Sequence, residues 1–207
     1  MSFKGKIGRI FYEVEEGYDL YGANYDKSSK FLEGFEQGAF EKLTRDVSGG
    51  KALDLGCGTG RNIPKILDLG CEVVAADISE TMLKFIGKKF PRIEKVKTDG
   101  LNMPFADNSF DLVVAMFLIV HLKDPADVFR EVYRVLKPGG VFLLSNVNQR
   151  KPPKVETMSG ESIVIESYYH RPEDVISKLE YEFFKIENDE LVIEDRTWIN
   201  QLVKARK

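Results

Sequence analysis

The chain has 207 residues, 43% of them hydrophobic and 30% charged, and a formal net charge of −3. That length fits one domain with a full hydrophobic core, and the charge excludes a global attraction to nucleic acid or to an anionic membrane surface. No apolar run reaches the roughly 18 residues of a membrane span, Met1 to Gly8 lacks the apolar stretch of a secretory signal, and Cys57 and Cys71 are too few for a disulfide framework or a zinc site.

These exclusions predict a cytoplasmic location. Residues 1–50 begin with Phe11, Tyr12, Tyr18, Tyr21 and Tyr25, interrupted by Gly5, Gly8, Gly17 and Gly22. Glycine weakens helices, so this stretch is expected to be a mobile cover rather than one continuous helix. A helical pattern follows with Phe31, Leu32, Phe35, Ala39 and Leu43. From Lys51 onward, short apolar strands alternate with helices. Lys51 to Leu55 is a predicted buried strand ending in a glycine loop. Asn62 to Leu69 is a predicted helix, with Pro64 suited to its first turn and Gly70 to its end. Glu72 to Ala76 is the second strand, and Ser79 can cap the helix carrying Met82, Leu83 and Ile86. Ile93 to Thr98 is a weaker third strand and Phe110 to Met116 an apolar fourth. Asp124 and Pro125 open a helix with Val128, Phe129, Val132, Tyr133 and Leu136 on one face. Pro138-Gly139-Gly140 ends it, and Val141 to Val147 is the fifth strand. Residues 148–170 are polar and contain Lys151-Pro152-Pro153-Lys154, so a loop is expected. Pro172 to Leu179 reads as a helix, and Tyr181 to Ile186 and Thr197 to Lys204 as a closing pair of strands.

Near-continuous apolar strands alternating with helices predict an α/β fold, a doubly wound, mostly parallel sheet with an antiparallel C-terminal strand and helices on both faces. Ligands in such sheets bind outside the carboxyl ends of the strands. Gly56, Gly58 and Gly60 lie there, between the first strand and a helix. Glycines let a ligand approach the backbone, and a helix N-terminus offers unpaired N–H groups to an anion. A tight strand–helix turn would use the same glycines. The spacing is Gly-x-Gly-x-Gly, not the Gly-x-Gly-x-x-Gly of a dinucleotide fingerprint.

Leu53-Asp54-Leu55-Gly56-Cys57-Gly58-Thr59-Gly60 resembles the first motif of class I S-adenosylmethionine-dependent methyltransferases. Four further stretches resemble that superfamily in order and spacing. They are Ala75-Ala76-Asp77-Ile78-Ser79, Thr98-Asp99-Gly100 through Asn108-Ser109-Phe110-Asp111, Phe117 to Leu122, and Leu136-Lys137-Pro138-Gly139-Gly140. The resemblance covers residues 25–147 well and implies a Rossmann-like fold with S-adenosylmethionine as cofactor. It implies one methyltransferase domain over residues 1–207: an N-terminal helical or lid segment (1–50), a cofactor-binding core (51–147), and a substrate loop, helix and closing strands (148–207).

The resemblance also assigns roles. Gly56 and Gly58 would pass against the methionine moiety, in a loop that includes Cys57 and Gly60. Asp54 would accept from the cofactor's amino group or brace the loop. Asp77 would accept both ribose hydroxyls. Asp99 would accept from the adenine amino group or cap a turn, with Gly100 or Leu101 N–H donating to the ring. Ile78 and Leu101 would sandwich the adenine or simply fill the core. Phe117 follows the fourth strand beside the cofactor. Tyr21 and Tyr25 are candidates to close over the methionine moiety, or to pack the N-terminal helix.

The stretch after the fourth strand, Ala115-Met116-Phe117-Leu118-Ile119, holds neither the cysteine of cytosine C5 enzymes nor the Asn/Asp-Pro-Pro-aromatic tetrad of exocyclic amino methylases, which argues against DNA as substrate. His121 is a candidate general base, because imidazole titrates near neutrality, with a structural role as its alternative. His170, beside Tyr168 and Tyr169, lies where the substrate loop is expected to end, with a surface position near a helix start as its plainer reading. The expected partner is a small-molecule methyl acceptor. An RNA- or protein-directed enzyme with a rim of Arg150, Lys151, Lys154 and Arg171 stays open, and a non-catalytic cofactor-binding scaffold and a nicotinamide-dependent dehydrogenase are the remaining alternatives. No metal is expected.

Overall fold

The structure, a computed structural model, describes residues 3–4, 10–26, 29–152, 154–157 and 159–207. Two short strands, β1 (Phe3–Lys4) and β2 (Ile10–Tyr12), lead into helix α1 (Val14–Tyr25) and the short helices α2 (Ser29–Gly34) and α3 (Ala39–Leu43). The alternation then begins: β3 (Lys51–Leu55), α4 (Ile63–Asp68), β4 (Glu72–Asp77), α5 (Glu80–Lys89), β5 (Glu94–Lys97), β6 (Phe110–Ala115), α6 (Ala126–Val135) and β7 (Leu136–Val147). Two short strands, β8 (Lys154–Glu156) and β9 (Ser162–Ile165), precede helix α7 (Pro172–Tyr181) and the hairpin β10 (Lys185–Glu194) and β11 (Thr197–Arg206).

The main sheet has seven strands in the order β10-β11-β7-β6-β3-β4-β5. Strands β3 to β7 run parallel, and β11 returns antiparallel to β7, with Val203 opposite Leu144. This is the mostly parallel α/β sheet that the alternation predicts. Side chains alternate across it. Leu53, Leu55, Val113, Phe142 and Val203 face α6 and α7, and Ala52, Val73, Leu112, Leu143 and Leu202 face α3, α4 and α5. Both faces are dry, which is why the strands read as continuous apolar runs. Ser79 caps α5 as expected, its Oγ accepting from Met82 N at 3.1 Å.

The N-terminal segment departs from its expectation. Helix α1 runs unbroken through Gly17 and Gly22. A Cβ on Gly17 would lie 2.8 Å from Ile165 Cγ1, and one on Gly22 would lie 2.9 Å from Thr81 Cγ2. These glycines are spacers that let α1 lie close against β9 on one side and α5 on the other; Gly5 and Gly8 lie outside the described residues. The expected helix over Phe31 to Leu43 is two helices, broken at Gln37 and Gly38, whose φ values are 47° and 77°.

Residues 148–170 are not all loop: β8 and β9 pair with each other, and β9 pairs in parallel with β2, completing a four-stranded sheet in the order β1-β2-β9-β8. The first closing strand starts at Lys185 rather than Tyr181, because α7 continues to Tyr181 and turns at Phe183 with φ 68°. Pro138-Gly139-Gly140 does not precede β7 but lies within it, where Gly139 N donates to Lys207 O and Lys207 N donates to Gly140 O, both at 3.0 Å.

Candidate functional site

Strand β3 has β4 on one side and β6 on the other, so the connections leave it in opposite directions. Such a switch point opens a crevice at the carboxyl ends of the strands. The loop after β3 borders it. Gly56 and Gly58 have φ of 70° and 53°, and a Cβ on Gly56 would press on Leu118 Cδ1 at 2.9 Å. Gly56 N and Cys57 N both donate to Ala76 O, and Gly58 N donates to Asp77 Oδ2 at 2.8 Å. Asp77 Oδ1 accepts from Ser79 N at 2.9 Å. Burial pushes the Asp77 carboxyl up, and these backbone donors pull it back toward the charged form. The loop and the carboxylate therefore hold each other at the rim of a cavity of about 340 Å³.

That cavity is lined by Gly56, Gly58, Asp77, Ile78, Asp99 and Leu101, among others. Asp99 Oδ1 accepts from Leu101 N at 2.9 Å, and the Leu101 side chain is 49% exposed, an open apolar surface at the cavity edge. Cys57, Gly60 and Gly100 are not among the lining residues. Cys57 is buried, and burial pushes its thiol up, away from the nucleophilic thiolate. Gly60 packs the loop on α5, since a Cβ there would lie 2.7 Å from Ile86 Cδ1. Gly100 is buried, with Val128 and Leu55 as its neighbours.

Asp54 sits beneath the loop, 1% exposed, and neither carboxylate oxygen has a hydrogen-bond partner among the described residues. Burial raises its pKa to about 7, against a smaller opposing pull from Arg61. A buried carboxylate without donors is costly. A positively charged amino group with N–H donors is the partner it lacks, and the methionine end of S-adenosylmethionine carries one. The residues present fit that cofactor.

A second cavity, of about 640 Å³, adjoins the first: Tyr18, Tyr25, Phe117 and His121 line both. Its own walls include Tyr21, Leu32, Phe35, Val147 and Ile165. Phe117 holds the partition with φ 60°, a conformation costly for a bulky residue. Its N–H donates to Ser145 Oγ at 2.7 Å, and its ring lies edge-on to Phe35 and under the Arg61 guanidinium at 5.2 Å. Arg61 is in turn ion-paired with buried Glu36.

His121 ends a 3-10 turn, Ile119–His121, after β6. Its Nδ1 lies 2.8 Å from the Glu166 carbonyl oxygen, which can only accept, so Nδ1 carries the proton. Nε2 then accepts from the Tyr18 hydroxyl at 2.7 Å. Loss of solvent around the ring lowers its pKa below the ordinary histidine value. His170 is not the surface residue expected. It is 8% exposed, and its Nε2 lies 3.0 Å from Ile119 O and 2.9 Å from Leu122 O, donating to the turn that presents His121. Tyr18 and His170 are the site residues that sequence reading missed. The signal for Tyr18 was the spacing of Tyr18, Tyr21 and Tyr25, which puts three rings on one face of a helix. Their centroids lie 5.8 to 6.4 Å apart.

Helix α1 is strapped across this region by acidic side chains. Glu15 pairs with Lys97 at 2.6 Å, Asp19 accepts from Ser79 Oγ and from Thr81 N, and Asp26 accepts from Thr59 Oγ1 and from Lys89 Nζ. Among the described residues, no cluster of His, Cys, Asp or Glu could hold a metal ion, and no helix is long and apolar enough to cross a membrane.

A family model described as a methyltransferase domain matches residues 53–144. The chain is 34% identical over 156 residues to the demethylmenaquinone methyltransferase of Corynebacterium urealyticum, a match covering 73% of this chain and 67% of that protein. It is 35% identical over 165 residues to the enzyme of the same name from Corynebacterium glutamicum, covering 78% and 71%. Among solved structures, an S-adenosylmethionine-dependent methyltransferase from Mesorhizobium loti superposes with a TM-score of 0.70 at 23% identity, covering 85% of this chain and all of that one. The PH0226 protein of Pyrococcus horikoshii superposes with a TM-score of 0.74 at 24% identity, covering 92% and 98%. The glycine loop on a doubly wound sheet, the partnerless buried carboxylate beneath it and these relatives agree: the chain belongs to the class I S-adenosylmethionine-dependent methyltransferases.

Proposed function

We propose that this enzyme binds S-adenosylmethionine in the cavity bordered by Gly56, Gly58 and Asp77, and transfers its methyl group to a small, neutral acceptor with a flat apolar body in the adjoining cavity. The observation that carries this reading is the shared wall. Tyr18, Tyr25, Phe117 and His121 line both cavities, so two ligands can meet there. The acceptor side has aromatic and aliphatic walls, and its acidic lining residue, Glu156, is exposed rather than buried. It suits an uncharged ring better than an ammonium ion. The relatives named for demethylmenaquinone support an apolar small-molecule acceptor, and the concave site does so over an RNA or protein surface.

The bound cofactor supplies an electrophilic methyl group on a sulfonium. The chain positions and shields it. Asp54 accepts from the amino group, Asp77 from the ribose hydroxyls through lone pairs that Gly58 and Ser79 leave free, and Asp99 from the adenine amino group. Ile78 and Leu101 flank the adenine. Tyr25, with Tyr21 behind it, covers the methionine end. Phe117 fixes the approach of the acceptor, and such positioning lowers a displacement barrier by several kcal/mol, up to about 10. His121 is the base for an acceptor that must lose a proton. Labelled S-adenosylmethionine incubated with a fractionated cell extract tests the reading. Label is expected in the small-molecule, organic-soluble fraction. Label confined to RNA or protein overturns it.

A further inference from the structure

We infer that Tyr18 is a catalytic proton-transfer residue, standing between the acceptor's hydroxyl and His121 Nε2, and that the acceptor is therefore a hydroxylated aromatic ring methylated on a group that must first lose its proton. This rests on the methyltransferase reading of the same two cavities and names what that reading leaves open.

The geometry permits one arrangement of protons. The Glu166 carbonyl fixes the proton of His121 on Nδ1, so Nε2 has its lone pair free and Tyr18 donates to it at 2.7 Å. His121 therefore presents no bare nitrogen to a ligand; the hydroxyl oxygen of Tyr18 covers it. Tyr18 comes from α1, and its ring lies edge-on to the imidazole at a centroid distance of 5.2 Å. The Tyr18 side chain borders both cavities. Its oxygen, once its own proton is directed to Nε2, is left with lone pairs for a second donor. An acceptor hydroxyl is that donor.

The ionisable groups sharing these cavities with His121 come from three sides. Tyr18, Tyr21 and Tyr25 lie on α1, Asp77 and Asp99 on the cofactor side, and Lys154 and Glu156 on β8. Burial holds Tyr18 and Tyr25 neutral, well above ordinary tyrosine, so neither is itself an anionic base. The proton must pass through Tyr18 rather than stop on it.

The acceptor oxygen attacks the methyl carbon with one lone pair, and the carbon–sulfur bond breaks with its pair going to sulfur, which becomes a neutral thioether. The acceptor's proton moves to the Tyr18 oxygen as Tyr18's own proton moves to His121 Nε2. An imidazolium, an intact tyrosine and a methyl ether remain.

The test uses two probes of one shape that differ in acidity, 2-naphthol and 2-naphthalenethiol, with S-adenosylmethionine and the full chain. The naphthol needs a base; the thiol ionises by itself near neutral pH. Tyr18→Phe is expected to bind S-adenosylmethionine as the wild type does. It is expected to lose about 100-fold or more in kcat with 2-naphthol, with KM little changed, while its deficit with 2-naphthalenethiol shrinks as pH rises and the thiol ionises. The His121 titration midpoint, followed by NMR, is expected to rise in Tyr18→Phe, because the donated hydrogen bond that favours the neutral ring is gone. An equal deficit with both probes overturns the inference and makes Tyr18 a structural strut. So does an undiminished rate with 2-naphthol, or an unmoved His121 midpoint. If the wild type binds S-adenosylmethionine but methylates neither probe, the acceptor class is wrong. If it does not bind S-adenosylmethionine at all, the underlying reading fails instead.

Discussion

Two carboxylates beside the glycine loop behave differently because their partners differ. Asp77 is satisfied by Gly58 N and Ser79 N, whereas Asp54 has no donor. Asp77→Ala is expected to weaken S-adenosylmethionine binding by about 1.5–3 kcal/mol, the scale of hydrogen bonds to a charged group. It also frees the Gly58 amide and loosens the loop. Titration calorimetry measures the loss, and unchanged affinity would show that Asp77 does not hold the ribose. Asp54 adds a pH dependence. Its folded pKa, about 7, lies above the ordinary carboxylate value, so between the two the folded chain holds a proton that the unfolded chain has already released. By linkage, the stability of the ligand-free chain falls as pH rises through that window. A cationic amino group beside Asp54 favours its ionised form. Cofactor binding below about pH 7 is therefore expected to release a proton, and affinity to strengthen as pH rises toward that value. Calorimetry in two buffers of different ionisation enthalpy detects the proton; identical heats would exclude it.

At the scale of elements, α1 was the least legible from sequence. Four glycines among tyrosines read as a broken segment on helix propensity alone, which is a weak prior because tertiary contacts override it. Gly17 and Gly22 in fact set the distance from α1 to β9 and α5. Gly17→Ala gains a little helix propensity but drives a methyl against Ile165, and overpacking, about 1–3 kcal/mol, outweighs the gain. Hydrogen exchange is expected to quicken in Val14–Tyr25 while β3 and β6 stay protected. In the wild type, exchange over α1 is expected to slow when the cofactor is added, since the helix covers the cavity; equal protection with and without cofactor would make it a fixed wall. The strands β3, β4 and β6, by contrast, were legible to within a residue, because buried parallel strands show as apolar runs and Ser79 announces its helix as a cap, whereas β7 starts at Leu136 rather than Val141. The strands β8 and β9 were hidden in a polar stretch. They pair with each other, and β9 pairs with β2 across a wide sequence gap, a pairing that no local pattern carries. His170 was misplaced for a related reason: its partners, the carbonyls of Ile119 and Leu122, are close only in the fold.

For the whole molecule, a sheet with both faces dry and a cleft at its switch point predicts selective thermal stabilisation by ligand. S-adenosylmethionine and S-adenosylhomocysteine are each expected to raise the melting temperature and NAD to leave it unchanged, because a ligand stabilises only in proportion to its binding of the folded state. Equal shifts with NAD would contradict the spacing of the glycine loop. The strap that holds α1 over the cleft has a further consequence, which concerns ionic strength. Two of its fastenings, Glu15 to Lys97 and Asp26 to Lys89, are ion pairs between partly exposed side chains, each at 2.6 Å. Exposed pairs contribute about 1 kcal/mol or less and weaken with salt. The core, held by apolar packing, has no such sensitivity. Added salt should therefore unfasten the helix without melting the sheet, quickening both cofactor entry and cofactor escape. Stopped-flow release of S-adenosylhomocysteine is expected to speed up with salt concentration in the wild type and to lose that dependence in Lys89→Met/Lys97→Met. The ionic composition of the medium is thereby expected to set how readily α1 leaves the cleft.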